Sequence, residues 1–309
     1  MDYLRLKSSP VLTYVAVFLF VVSCLTSVSY GGSSSAAMEP QHEYDAAVRD
    51  ARDLQSEYDA AVRDAMTMTE AKISKNLTAI RSDNRSLQWE NGVPGTRVLV
   101  ATYINNQTAC ESYTDPGAAG CKAGQECTNY WYNSWVTVVP ELKNLLGSAP
   151  ALLRVAQALG LPPPLNEQTL DNTCMVELYV APANLFRPSP DPEVTDHEAE
   201  LTFPPDGFRK FDAMVLVYSD MPCDAARCSS CTQSGKCGMT SYMNWFDNRR
   251  AYVYTQPTPY PWTALGYTYD WGNRVAPHFG VSEFVVNAGS SGISVFIKSV
   301  TWTRRYFRN

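Results

Sequence analysis

Two stretches of this chain have the residue types and spacing for chemistry. In CDAARCSSCTQSGKC, residues 223–237, Cys228 and Cys231 form a C-x-x-C pair flanked by Cys223 and Cys237. Four thiolates at these intervals could hold zinc tetrahedrally or close as two disulfides. Farther on, PYPWTALGYTYDWGN and APHFGVSEFVV gather Trp262, Tyr267, Tyr269, Asp270, Trp271, His278 and Glu283 into one short span. An acid beside flat rings is the material of a pocket: rings stack on flat ligand faces and the acid directs a hydrogen bond. In an extended chain Tyr267, Tyr269 and Trp271 share one face, and Thr268 and Asp270 the other. That pattern favours rings buried in a core over an exposed platform; Asp270 is the acid to test if the face is open. Glu283 opens an apolar strand, where an acid ordinarily sits on a solvated edge.

The remaining candidates are thinner. His42, His197 and His278 are the three histidines, and His197 lies among Glu193, Asp196, Glu198 and Glu200. Carboxylates beside a histidine could take a divalent cation, but a charge-rich turn is ordinarily just solvated, and no metal is expected. No G-x-S-x-G occurs, which removes the usual support for a Ser-His-Asp hydrolase. A net charge of −6 without a basic stretch argues against nucleic-acid binding.

The elements that must position these residues begin with an export segment. Arg5 and Lys7 precede the apolar run VLTYVAVFLFVVSCL, and small and polar residues follow it. Residues 1–30 read as a signal peptide or a signal anchor; the chain touches a membrane only if residues 11–28 are retained. Either way the rest lies outside the cytosol, secreted or on the extracellular surface. Asn76, Asn84 and Asn106 head N-x-S/T acceptor sites for glycosylation. Apart from Cys24 in the apolar run, the cysteines number eight: Cys110, Cys121, Cys127, Cys174, Cys223, Cys228, Cys231 and Cys237. An even set in an oxidising compartment favours disulfides over zinc. Pairing is expected within 223–237 and among Cys110, Cys121 and Cys127, with Cys174 taking a partner from one of these groups.

After a linker at 31–42, residues 43–90 read as a helical arm. EYDAAVRDA occurs at 43–51 and again at 57–65, a period of two heptads. Tyr44, Ala51, Tyr58 and Ala65 fall at heptad position a, and Ala47, Leu54, Ala61 and Met68 at d. Residues 43–72 are therefore a candidate surface for homo-oligomers, or a helix docked on the domain. Residues 95–309 read as one α+β domain, stapled by disulfides, with a mixed or antiparallel sheet and cysteine-rich loops at 106–128 and 221–240. TRVLVATYI, WYNSWVTVV, CMVELYV, VSEFVV and ISVFIKSVTW are the strand candidates, the last two joined by NAGSSG. Pro140 opens a helix in PELKNLL, and YMNWFDNRRAYVY has near-helical apolar spacing.

The blocks WVTVVPELKNLL, LFRPSPDPEVTD, PWTALGYTYDWGN and SEFVV resemble blocks of an uncharacterised family of bacterial-type proteins, over residues 131–302. That resemblance implies one domain and no particular activity. SEFVVNAGSSGISVFIKSV also resembles the strand segment of ADP-ribosyltransferase-like enzymes. The resemblance would make Glu283 the catalytic acid of an ADP-ribosyltransferase-like enzyme or NAD glycohydrolase, with Tyr267 or Tyr269 stacking the nicotinamide and NAD as substrate; in that alternative reading Asp270 joins Glu283, Tyr267 and Tyr269 as a candidate catalytic residue. The favoured expectation is a secreted or surface glycoprotein without cofactor, which binds a carbohydrate or protein ligand or assembles with itself.

Overall fold

The computed structural model describes residues 39–114, 121–129, 133–164, 167–204, 216–223, 228, 235–287 and 292–308. The export segment and Cys231 lie outside the described residues. The chain divides into two units, residues 1–49 and 50–309. Of the first, only the start of helix α1 (Glu39–Ala65) is described, without its side chains. Everything below belongs to the second.

In chain order the second unit carries β1 (Val98–Ile104), α2 (Gln107–Thr114), β2 (Gln125–Asn129), β3 (Ser134–Val138), α3 (Glu141–Leu146), α4 (Leu152–Ala158), α5 (Glu167–Asp171), β4 (Cys174–Val180) and β5 (Leu185–Phe186). Then come β6 (Leu216–Pro222), β7 (Lys236–Ser241), α6 (Tyr242–Val253), β8 (Tyr267–Tyr269), β9 (Phe279–Ser282), β10 (Phe284–Val286), β11 (Ile293–Trp302) and α7 (Thr303–Tyr306). Seven strands form one sheet in the order β2-β11-β4-β1-β3-β10-β5, with every neighbouring pair antiparallel. Two small ribbons, β6-β7 and β8-β9, stand beside it. The fold is α+β with an antiparallel sheet.

Alternation along β1 sets the layers. Val98 and Val100 turn to one face, where Val136, Val176, Leu178 and Phe284 join them under Leu87 and Trp89. Leu99 and Ala101 turn to the other, against Leu142 of α3, Val155 and Ala158 of α4, and Phe307. A third, aromatic core joins Tyr242, Trp245 and Phe246 of α6 to Phe186 and Trp262. Ser241 caps α6, its hydroxyl accepting from the Asn244 N–H at 3.4 Å.

VSEFVV and ISVFIKSVTW both supply strands and lie apart in the sheet: β10 is between β3 and β5, and β11 between β2 and β4. Both strands are paired on both edges, so neither has an edge left for the other. One expectation changes: the helical arm ends at Ala65 rather than reaching residue 90. Beyond it the heptad pattern stops, and Leu77, Ile80, Leu87 and Trp89 bury themselves in the domain as irregular chain. The second copy of the repeat is docked: Tyr58, Ala61, Val62 and Ala65 are buried with Tyr269 and Trp271. The Tyr58 ring meets Trp271 edge-on at 5.7 Å, and its hydroxyl donates to the Pro259 carbonyl at 3.0 Å. Among the described residues no helix is long and apolar enough to cross a membrane.

The cysteines pair as Cys110–Cys174, Cys121–Cys127 and Cys228–Cys237, with Cα separations of 6.0, 5.3 and 5.2 Å. Cys223 is disulfide-bonded as well. Cys110–Cys174 ties α2 to the head of β4 across 64 residues of sequence. Asn76 and Asn106 are exposed, Asn106 accepting from the Ala109 N–H at the start of α2. Asn84 is half-buried, its Nδ2 donating to the Ala79 carbonyl at 2.7 Å and its Oδ1 accepting from Ser86. Replacing Cys110 and Cys174 together by alanine is expected to cost about 2–5 kcal/mol in a urea titration of the otherwise oxidised protein, because the bridge closes a long loop. A midpoint unchanged from wild type would contradict the pairing.

Candidate ligand site around Glu283

Glu283 stands where the chain changes sheet. The strand before it, β9, pairs with β8 through Ser282 and Tyr267; the strand after it, β10, pairs with β3 through Phe284 and Val136. The Glu283 N–H donates to the Gly266 carbonyl at 2.9 Å. Its neighbour is gripped from α3: the Ser282 N–H and hydroxyl both donate to Glu141 Oε1, at 2.7 and 2.9 Å. The Thr78 hydroxyl donates to the second Glu141 oxygen at 3.0 Å. Burial pushes the Glu141 carboxyl up, and these three donors pull it back. Gly266 has φ +73, and a Cβ there would meet the side chain of Arg187 at 2.6 Å, so only glycine fits.

Two cavities meet at Glu283. One, of about 310 Å³, is walled by Trp135, Arg249, Tyr260, Trp262, Tyr267 and Tyr269 among others. The second, of about 240 Å³, is walled by Tyr103, Thr137, Met175 and Val281 among others. Trp135, Leu159, Leu161, Thr268 and Glu283 line both. Around this space three buried polar atoms have no partner: Glu283 Oε2, Trp262 Nε1 and Thr137 Oγ1. Buried polar groups are nearly always paired, so orphans gathered on one cavity point to something that fills it. Glu283 is half-buried, and it lines both cavities. Desolvation pushes its carboxyl up to about 8; the Trp262 indole N–H lies close enough to favour the charged form and lower this value, without reaching hydrogen-bond geometry.

The structure separates the four residues marked from sequence. Glu283, Tyr267 and Tyr269 line the same cavity. The hydroxyls of the two tyrosines are committed elsewhere: Tyr267 donates to the Lys72 carbonyl at 2.8 Å and Tyr269 to Asp64 Oδ2 at 3.0 Å. Burial raises the pKa of both phenols. They serve the cavity as walls. Asp270 is not in it. It is fully buried, holds Arg154 through two bonds at 2.7 and 2.5 Å, and accepts from the N–H groups of Gly272 and Asn273. Its role is to lock the turn after β8 onto α4. Thr268, on the same face, donates its hydroxyl to the Ala158 carbonyl at 2.6 Å. The period-two reading of this stretch therefore holds, with packing on the aromatic face and anchoring on the polar one.

The acidic turn also resolves into structure. Asp191, Asp196 and Glu200 bring carboxylate oxygens within 4.8 Å of one another. The fully buried Arg187 lies beside them, its Nη2 accepted by the Asp196 carbonyl at 3.0 Å and 3.6 Å from that residue's carboxylate. A positive charge is thus built into the cluster. His197 Nδ1 faces the Leu77 carbonyl at 2.8 Å, and His278 stacks on the Tyr269 ring at 5.0 Å.

Trp135, Thr137, Leu161 and Arg249 belong to the site and carried no signal of it in the sequence. Trp135 and Thr137 sit in a strand whose alternation alone marks them as sharing a face. Arg249 lies in α6, with its guanidinium 5.9 Å from the Trp245 ring. No protein-family model matches the chain, and no curated protein or solved structure matches it either.

Two consequences are measurable. Arg154→Met strands the Asp270 carboxylate in the core and should cost about 3–5 kcal/mol in denaturant unfolding; a loss comparable to a surface substitution would show that the pair is not structural. Because Glu283 holds its proton in the fold up to about 8, against an ordinary value of 4.5, the folded state binds a proton the unfolded chain has released. Wild-type stability should therefore fall relative to Glu283→Gln as pH rises between those values. Parallel stability curves would show that the carboxyl is not desolvated.

Proposed function

We propose that this chain is an exported glycoprotein whose α+β domain binds a small, largely apolar and planar molecule in the joined cavities around Glu283. The supporting observation is the set of orphaned polar atoms, Glu283 Oε2, Trp262 Nε1 and Thr137 Oγ1, around an aromatic-walled space. The disulfides and the acceptor asparagines support the compartment. Binding is favoured over self-assembly because the second repeat's seam, Tyr58, Ala61 and Ala65, is consumed in the domain's own core. At about 310 and 240 Å³ the joined cavities fall toward the lower end of the range for small-molecule sites and suit a compact ring-sized ligand.

A second reading makes the same residue catalytic in an NAD-using enzyme. It is supported by an unpaired carboxyl among rings, and opposed by the commitment of Asp270 and of both tyrosine hydroxyls. Nicotinamide release by the intact chain, lost in Glu283→Gln, would establish it.

The binding reading is tested with ethylbenzene, a ring-sized apolar probe. At ten times its Kd it should raise the unfolding free energy by about 1.4 kcal/mol through mass action. Leu161→Trp, which places a ring where the cavities meet, should abolish that gain while remaining folded. Saturable stabilisation that survives in Leu161→Trp would sink the reading, as would failure of wild type to bind ethylbenzene or any ring-sized probe that adds one polar group to it.

A further inference from the structure

Resting on that binding reading, we propose that the ligand carries a hydrogen-bond acceptor oxygen, a carbonyl above all, held at Glu283 by the carboxyl O–H and by the Trp262 indole N–H. The inference follows from the sign of the unpaired groups. An indole N–H donates and never accepts. A carboxyl that keeps its proton donates through it, and a threonine hydroxyl does either. Arg249, on the wall of the larger cavity, is a donor without acceptor capacity. At neutral pH the unpaired groups of this space are therefore donors at Glu283 and Trp262, with Thr137 able to serve either way. A ligand cation would lie beside Arg249 and face a carboxyl that must first release its proton. An apolar ligand would leave the orphans unpaired, at the desolvation cost each already carries. An acceptor oxygen with a flat apolar body satisfies the donors and lies along Trp135 and Trp262, whose rings meet edge-on at 5.8 Å.

The pH dependence carries the test. The charged and titratable groups facing Glu283 are Arg249 from α6, Tyr254 just beyond that helix, Tyr260, Tyr267 and Tyr269 from the aromatic stretch, and Tyr103 from β1. Burial raises the phenols of Tyr103, Tyr254, Tyr267 and Tyr269, away from neutrality, and raises the Glu283 carboxyl toward it. Below about 8 the carboxyl is a donor; above it the carboxylate repels a carbonyl oxygen.

Three probes of matched shape, ethylbenzene, acetophenone and 1-phenylethylamine, are titrated into the intact chain from about pH 6 to about pH 10, following tryptophan fluorescence. Acetophenone is expected to bind at least about tenfold more tightly than ethylbenzene below pH 8, since one good hydrogen bond is worth about that factor. Its affinity should then fall by about tenfold per pH unit above about 8, while that of ethylbenzene stays flat. In Glu283→Gln, whose amide still donates, the high-pH loss should vanish. In Trp262→Phe the ratio of acetophenone to ethylbenzene affinity should shrink, and an unchanged ratio would show that the indole N–H does not hold the oxygen.

Equal affinities for acetophenone and ethylbenzene, with both bound, overturn this inference and leave the cavity as a binding site. Tightest binding by the amine, strengthening as pH rises toward 8, overturns it in favour of a cation site. Binding of none of the three overturns the binding reading itself.

Discussion

Glu141 is the constraint on which the arrangement around Glu283 depends. Its carboxyl is buried at the start of α3, and it takes three donors: the Ser282 N–H, the Ser282 hydroxyl and the Thr78 hydroxyl. Those bonds fix the residue before Glu283 at the point where the chain leaves the β8-β9 ribbon and enters the seven-stranded sheet. Thr78 is held twice, since its N–H also donates to the Ser282 hydroxyl at 2.8 Å. The irregular chain after α1, the helix after β3 and the last ribbon thus share one knot of hydrogen bonds. A carboxylate with that many donors tolerates burial that would otherwise neutralise it.

Charge accounting distinguishes scaffold from site. Arg187 is fully buried and is answered by the Glu193 and Asp196 carbonyls and by nearby carboxylates. Asp270 is fully buried and answered by Arg154 and two backbone N–H groups. Glu141 is answered by serine and threonine. Glu283 has an unpaired oxygen, and its neighbours Trp262 and Thr137 have unpaired polar atoms too. Asp270 is thus closed by partners of opposite charge, whereas Arg187 Nη1 and Glu283 Oε2 are buried without a partner, and of these two residues Glu283 lines a cavity.

Four short blocks of sequence build this arrangement. PELK supplies Glu141, LFRPSPDPEVTD supplies Arg187, PWTALGYTYDWGN supplies Trp262 and Gly266, and SEFVV supplies Ser282 and Glu283. Gly266 links two of them directly, because its missing Cβ is the space that the Arg187 side chain occupies. The cysteine pairs lie in other segments: Cys121–Cys127 in the loop and strand before β3, and Cys228–Cys237 beside the β6-β7 ribbon.

Much of this was legible in the residues themselves. β-branched runs gave β1, β3, β4 and β11 close to their ends; the even cysteine set gave disulfides; and period-two spacing put Tyr267 and Tyr269 on one face with Thr268 and Asp270 on the other. These are properties of side chains repeating along a backbone of fixed pitch, so sequence alone settles them. The sheet order was not legible, because pairing compares edges far apart in the chain, and it separated β10 from β11. Nor could sequence divide the acids. Asp270 and Glu283 look alike as carboxyls near aromatic rings, and only packing brought Arg154 to one and left the other facing a cavity. That cavity is volume left over between β1, β3, α4, α6 and the last ribbon. Empty space between elements has no local signature, so it becomes visible only when the chain has closed around it.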